Sequence, residues 1–93
     1  MSNVAVKEKT DLELEAEGKG VLRILDRTGD TKLIWDPENE DEVENARSTF
    51  DSLKKKGYAI FRVKGEKGEQ GEQMRTFDAR AGRLIAVKQL AGG

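Results

Sequence analysis

The segment from Asn39 to Gly57 carries the start and stop signals of one amphipathic helix. Asn39 is a favoured N-cap residue, and Glu42, three positions later, completes a capping-box-like pair. Acidic residues follow at the positive end of the helix dipole, lysines stand at its negative end, and glycine is favoured after the last turn. The apolar residues recur at spacings of three, four and three: Val43, Ala46, Phe50 and Leu53. We predict a helix over residues 40–56 that packs one apolar stripe against a sheet.

A β-hairpin is predicted immediately before this helix. Residues 21–26 and 31–35 are rich in aliphatic residues, threonine and tryptophan, as strands are. Thr28-Gly29-Asp30 supplies the turn between them, with Gly29 free to take a positive φ. Pro37 then ends the second strand, because it has no N–H to donate to a neighbouring strand.

Three strands are predicted after the helix, at residues 58–63, 74–78 and 83–90. The polar, glycine-containing residues 64–73 are predicted to form the loop between the first two of these strands. The element order is therefore ββαβββ, and the fold class is α+β.

The first 19 residues carry mixed charge and weak patterning. Leu12, Leu14 and Ala16 alternate with acids, as in a half-buried strand, so an extra strand is one interpretation. We favour a flexible N-terminal extension over residues 1–19, because chain ends fray unless contacts hold them.

Composition excludes several classes of function. The chain has 93 residues, no cysteine, no histidine and a formal net charge of −1. It therefore cannot build a disulfide framework, a Ser-His-Asp or Cys-His centre, or a usual zinc site. The near-neutral charge gives no general attraction for nucleic acid or an anionic membrane, and no apolar run reaches membrane-spanning length. We expect one cytoplasmic, monomeric domain without a metal or cofactor.

Four local patterns that could carry a ligand site have simpler explanations. Residues 36–44 hold six carboxylates but lack the central glycine of a calcium loop, and pairing with the helix dipole accounts for them. The glycines of residues 65–71 lead to a strand and alternate with glutamates, so they do not predict a phosphate-binding loop. Residues 54–56 form a lysine triplet that suits a helix end. The aromatic residues are expected in the core: Trp35, Phe50, Tyr58, Phe61 and Phe77.

A hairpin, an amphipathic helix, returning strands and a final strand followed by two glycines together resemble ubiquitin and its β-grasp relatives. The resemblance covers residues 20–93. The matching segments are the opening hairpin with its Thr-Gly turn, the single long helix, the strand that leaves it and the last strand with its tail: 21–37, 41–58, 58–63 and 83–93. It implies a mixed sheet of four to five strands packed on one helix, with a tail at residues 90–93.

The chemistry of this family lies in the tail. The terminal carboxylate is adenylated by an activating enzyme, passed to a thiol, and then joined to an amine or used as a sulfur carrier. The resemblance implies that Gly93 is the reacting carboxylate and Gly92 its slender neighbour, since residues without a Cβ pass through a narrow channel. Gln89 and Leu90 would be read by the partner enzyme, and Val87 would lie on the sheet surface that many ubiquitin relatives use for docking. The implied function is that of a protein modifier or carrier rather than an enzyme.

Two departures from ubiquitin affect the identity of the partners. Gln89 and Ala91 stand where ubiquitin has arginines near its tail, so a eukaryotic activating enzyme is not the expected partner. Residues 65–78 do not match the second half of ubiquitin. The alternative is a non-conjugated α+β interaction module, such as an adaptor or a phage-type accessory protein. Such a module binds through its sheet, and its glycines are incidental.

Overall fold

The computed structural model describes residues 9–26, 29–65 and 69–88. Within these ranges the chain forms two helices and five strands, in this order: α1 Asp11–Ala16, β1 Gly20–Asp26, β2 Gly29–Trp35, α2 Glu40–Lys55, β3 Tyr58–Lys64, β4 Glu69–Gln73 and β5 Arg83–Lys88. The α+β class is confirmed. The predicted order ββαβββ was wrong at its start, because a helix precedes the first strand.

The five strands of the described residues form one mixed sheet in the order β2-β1-β5-β3-β4. The pairs β1–β2, β3–β5 and β3–β4 are antiparallel, whereas β1 and β5 run parallel. The first and last strands therefore lie side by side within the sheet. Because β5 has a neighbour on each side, the chain continues beyond Lys88 from an inner strand and not from an edge.

The predicted hairpin is confirmed as β1 and β2. The pairing runs without interruption from Gly20 opposite Trp35 to Asp26 opposite Gly29. Gly29 has a φ of 129°, the positive value that the sequence predicted. Gly29 and Asp30 of the predicted turn belong to β2 in the structure, and Thr28 lies outside the described residues.

The main core lies between α2 and one face of the sheet. The apolar stripe predicted for α2 is confirmed, with Val43 partly buried at its edge. The helix and the sheet both contribute buried side chains to this core, chiefly Ala46, Phe50 and Leu53 from α2 and Leu22, Trp35, Ile60, Leu84 and Ala86 from the sheet.

Trp35 connects this core to the loop between β4 and β5. Its side chain is fully buried, and its Nε1 donates a hydrogen bond to the carbonyl of Ala79 over 2.9 Å. The Phe77 ring lies 5.3 Å from the Trp35 ring and 5.7 Å from that of Phe50, measured between centroids. These contacts hold the loop over one end of the core.

The prediction that all five aromatic residues lie in the core holds for four of them. Trp35 and Phe50 are fully buried, and Tyr58 and Phe77 pack against the same cluster while partly exposed. Phe61 lies on the opposite face of the sheet, because it follows the buried Ile60 along β3 and adjacent strand residues point to opposite faces.

The fourth strand lies earlier in the chain than predicted. Residues 69–73, predicted as loop, form β4, and residues 74–78, predicted as strand, do not form one. β4 pairs only with β3, as an edge strand, and edge strands can keep polar, exposed side chains on both faces. The apolar Met74 and Phe77 follow it and pack against the core, so apolar pattern alone misplaced the strand.

The N-terminal extension is ordered where it is described. Residues 11–16 form α1, neither a flexible segment nor a strand, and residues 1–8 lie outside the described ranges. Thr10 caps α1: its side chain accepts a hydrogen bond from the amide of Glu13, whose side chain in turn accepts one from the amide of Thr10. The alternation of leucines with acids therefore reflects a short capped helix.

The predicted helix over residues 40–56 is confirmed as α2, with its last residue one position earlier. The Asn39 side chain accepts a hydrogen bond from the amide of Glu42 over 3.1 Å, and the Glu42 side chain accepts one from the amide of Asp36 over 2.8 Å. Gly57 follows the helix with a φ of 95°, as expected for the residue after a last turn.

Replacing Asn39 with alanine should lower the free energy of unfolding by about 1 kcal/mol, because the Glu42 amide loses its cap. Asn45→Ala is the matched control, since Asn45 is exposed inside α2 and alanine favours a helix interior. Urea denaturation followed by circular dichroism measures both values. Equal losses in the two variants would show that the cap does not stabilise α2.

Candidate docking face

The sheet has a second face, on the side opposite α2, and we call it the open face. Along β1 and β5, its residues alternate with those that enter the core. The register places Val21 beside Arg83, Arg23 beside Ile85 and Leu25 beside Val87. The buried residues Val21 and Ala59 lie outside the core cluster formed with α2, as expected for this opposite face.

Helix α1 lies against one part of the open face through ion pairs. Asp11 contacts two cations: Arg23 Nε at 2.7 Å and Lys32 Nζ at 3.2 Å. Glu15 Oε1 lies 3.0 Å from Arg83 Nε. These cations belong to β1, β2 and β5, three neighbouring strands, so the acids of α1 span the sheet from its edge to its centre.

Arg83 is the one buried charged residue among those described. Its side chain is 9% exposed, and its second contact is a hydrogen bond from Nη2 to the carbonyl of Gly65 over 2.8 Å. Arg83 therefore joins α1, β5 and the turn after β3. Removing Glu15 would leave a guanidinium without its ionic partner, which is costly at a buried position.

Further along the open face lies a group of apolar side chains that we call the apolar patch. Leu25 lies beside Val87, and Ile85 lies beside Phe61. Each member keeps part of its surface exposed: Leu25, Phe61, Val63, Ile85 and Val87. The members occupy the inner strands β1, β5 and β3, so the backbone hydrogen bonds of the sheet fix their positions. A fixed group of exposed apolar side chains is suited to burial against another protein.

The sequence-predicted site residues fall partly within the described ranges. Val87 lies on the open face, within the apolar patch, and its role in docking stays a prediction. Gln89, Leu90, Gly92 and Gly93 lie outside the described residues.

Lys88 holds the end of β5. Its Nζ donates a hydrogen bond to the carbonyl of Lys56 over 3.0 Å and lies 5.2 Å from the centroid of the Tyr58 ring. Lys56 caps the C-terminal end of α2, where a cation also interacts favourably with the helix dipole. The chain therefore enters residues 89–93 from Lys88, which is held beside the end of α2, one residue after Val87.

The carboxyl group of Asp11 has a perturbed pKa. Burial acts to raise this pKa, but the hydrogen bonds from Arg23 and Lys32 outweigh it, and the pKa lies below its usual range. The hydrogen bond to Asp11 likewise raises the pKa of the Arg23 guanidinium despite partial burial. Both groups therefore stay charged at neutral pH, and the contact between α1 and the sheet is ionic.

Lowering the pH should release α1 from the sheet before the rest of the fold unfolds. The pKa of Asp11 is lowered in the folded chain, so its contribution to stability is complete above the unfolded value of about 3.9 and is lost as the pH falls through the folded pKa. Asp30, which also contacts Arg23, is the other acid facing this group from the sheet. The release is measured by NMR, from the chemical shifts of the Leu14 methyl groups between neutral and acidic pH. Asp11→Asn should weaken docking at neutral pH and remove part of the transition, and an unchanged transition would contradict this assignment.

The contacts of α1 were missed by sequence reasoning, although a signal for the helix exists. Thr10 followed by Glu13 is a capping-box pattern. Asp11, Leu14 and Glu15 then fall at helical spacing on one side, the side that carries the ion pairs and the buried leucine. The cations that these acids meet come from distant strands, so their pairing becomes visible only in the folded chain.

Two other kinds of site are absent from the described residues. No group of three or more Asp or Glu side chains there is arranged to hold a metal ion. Neither α1 nor α2 is long and apolar enough to cross a membrane.

Comparison with known proteins adds no assignment. No protein-family model, no curated protein and no solved structure matches the chain.

Proposed function

We propose that the chain is a ubiquitin-like β-grasp protein that docks on a partner enzyme through its open face and presents residues 89–93 to it. It acts as a modifier or carrier, and the partner performs the chemistry. The observation that carries the proposal is the continuity of β5: the same strand contributes Val87 to the apolar patch and leads into the segment that ends in Gly92-Gly93.

The arrangement of the sheet supports the β-grasp part of the proposal. The hairpin β1–β2 and the strands that follow α2 form one mixed sheet, and α2 packs on a single face of that sheet. This is the arrangement that the resemblance to ubiquitin implies. The additional α1 is a feature of this chain beyond that arrangement.

The position of the patch supports docking by the partner. Val87 lies two residues before Gln89, and strand residues advance by about 3.3 Å each. A partner that covers Val87 and its neighbour Ile85 is therefore close to the start of the segment that it must read. Lys88 fixes this start by its hydrogen bond to Lys56. The docked surface and the delivered segment are then adjacent in the chain.

The chemistry requires a free carboxylate at Gly93. This carboxylate is adenylated, and a thiol of the partner then displaces the adenylate to form a thioester. An amine or a sulfur donor takes the acyl group in the last step. The described side chains contribute binding and position, and the protein is a substrate and not a catalyst in this scheme.

The experiment is an adduct assay with a tagged full-length chain, extract of the cells that make the protein, and ATP. The expected result is a higher-mass form that depends on ATP. A thioester would disappear when a reducing thiol is added, and an amide would persist. A variant that lacks Gly93 is the control for the carboxylate, and it should form neither product. Absence of any adduct from the full-length chain would contradict the modifier role.

The second candidate is a non-conjugated interaction module. It is favoured by one observation: the apolar patch lies wholly within the described sheet and needs no residue beyond Lys88. A module of this kind would bind its partner equally well with and without Gly93, but would lose it when the patch is changed. The variant that lacks Gly93 and a variant with an altered patch, Val87→Arg, therefore separate the candidates.

A further inference from the structure

We infer that α1 is an intramolecular occupant of a basic site on the open face, and that an acidic, leucine-containing segment of a partner protein binds there in its place. This inference rests on the proposed docking role of the open face. It adds a second part to that surface and states the chemistry of what it binds.

The site beneath α1 is a group of three cations on adjacent strands. Arg23 lies directly opposite Lys32, and Arg83 lies beside Val21 on the same face. Asp30 balances part of this charge through Arg23 Nη1, at 2.6 Å. Neighbouring like charges on a sheet repel one another, so such a group favours an acidic occupant.

Helix α1 has the composition that this site selects. Asp11 and Glu15 meet the three cations, and Leu14, between them, is the one buried residue of the helix. These residues lie at spacings of three and four on one helical face. Leu12 remains 38% exposed on the other side. The contacts of α1 with the basic site thus show which ligand fits there: a segment with two carboxylates, one on either side of a leucine.

The way α1 is held makes it replaceable. A helix of six residues is too short to be stable in water by itself, so its structure depends on docking. Docking rests on one leucine and on ion pairs whose acids are partly exposed, and such pairs weaken as salt rises. A longer acidic segment that also covers Leu25 and Ile85 would bury more apolar surface than α1 does.

A tethered occupant lowers the apparent affinity of any competitor. A short linker gives the tethered segment an effective concentration in the range of mM. The apparent Kd of a competing segment equals its intrinsic Kd divided by the fraction of molecules in which α1 has left the site. If that fraction is below one tenth, the apparent Kd is at least tenfold higher than the intrinsic Kd. Loosening α1 should therefore reveal binding that the unaltered chain suppresses.

The test uses a fluorescent peptide with the sequence of residues 9–19, KTDLELEAEGK, and two forms of the full chain. One is unaltered, and the other carries Asp11→Asn and Glu15→Gln, which weaken α1 without changing the basic site. We expect the peptide to bind the variant at least tenfold more tightly than the unaltered chain, and to lose binding as salt is raised. A matched peptide that carries Asp11→Asn and Glu15→Gln should not bind.

Three results would overturn the inference. They are equal binding or no binding to the two forms, equal binding of the neutral peptide, and a dimer of the unaltered chain in which α1 is exchanged between copies. Protection of the β1 and β5 amides from hydrogen exchange checks that the variant with Asp11→Asn and Glu15→Gln remains folded. If that variant unfolds, the test is repeated with Leu14→Ala, which loosens α1 by removing its apolar contact. Peptide binding uses the cations beneath α1 and needs no residue beyond Lys88, whereas the adduct assay needs the carboxylate of Gly93. A failure of the adduct assay therefore remains distinct from a failure of this one.

Discussion

Replacing Gly20 with alanine is expected to reduce the free energy of unfolding by about 3 kcal/mol, because a methyl group there overlaps a fully buried ring. A Cβ built on Gly20 would lie 2.1 Å from Cε2 and 2.2 Å from Cζ2 of Trp35. The ring cannot simply withdraw, since its Nε1 is hydrogen-bonded to Ala79 and one side contacts Phe77. Chemical denaturation followed by circular dichroism measures the loss.

A double-mutant cycle provides the control for this prediction. In a Trp35→Phe background, the smaller ring removes the atoms that the new methyl group would meet, so Gly20→Ala should cost less than in the unaltered chain. Equal costs in both backgrounds would show that the overlap with Trp35 is not the cause. A cost below about 0.5 kcal/mol in the unaltered chain would contradict the packing described for β1 and β2.

Replacing Val87 with arginine is expected to slow adduct formation at least tenfold while leaving the fold intact. Val87 is half-buried in the apolar patch, and a charge there would be desolvated when a partner covers it. Central apolar contacts often contribute 2 kcal/mol or more to an interface, which corresponds to roughly 30-fold in affinity. In the free protein, the arginine can extend along the sheet and keep its charge in water. The measurement is the rate of the ATP-dependent mass increase, with thermal unfolding recorded beside it.

Ser48→Arg is the matched control, since it introduces the same side chain at an exposed position of α2, away from the open face. It should leave the rate unchanged. Similar losses in both variants would indicate a general effect of added charge, and no loss in either would exclude the apolar patch as the docking surface.

The elements that could be predicted from sequence are those that local signals specify. Helix α2 has a cap at Asn39, a periodic apolar stripe and a glycine after its end, and it was placed within one residue. The strands β1, β2 and β3 bury residues against α2, so their apolar content marks them. Strand β4 has no such signal, because it lies at an edge and four of its five residues are exposed.

The candidate site was predictable only in part. Val87 could be placed by counting along β5, because alternation decides which face a strand residue occupies. The role of Arg83 could not be seen, since its partners Glu15 and Gly65 are separated from it by 68 and 18 positions in the chain. Phe61 was misassigned to the core because aromatic character alone does not tell which face of an inner strand a residue occupies.

The central claim is that this chain delivers an activated carboxylate at Gly93, and intact mass spectrometry of the protein recovered from its own cells tests it most directly. A version that lacks Gly93, expressed in the same cells, is measured beside it. The account predicts covalent adducts or a terminal thiocarboxylate on the full-length form alone. A free carboxylate on both forms, with the same partners recovered, would contradict the modifier role and leave the interaction module.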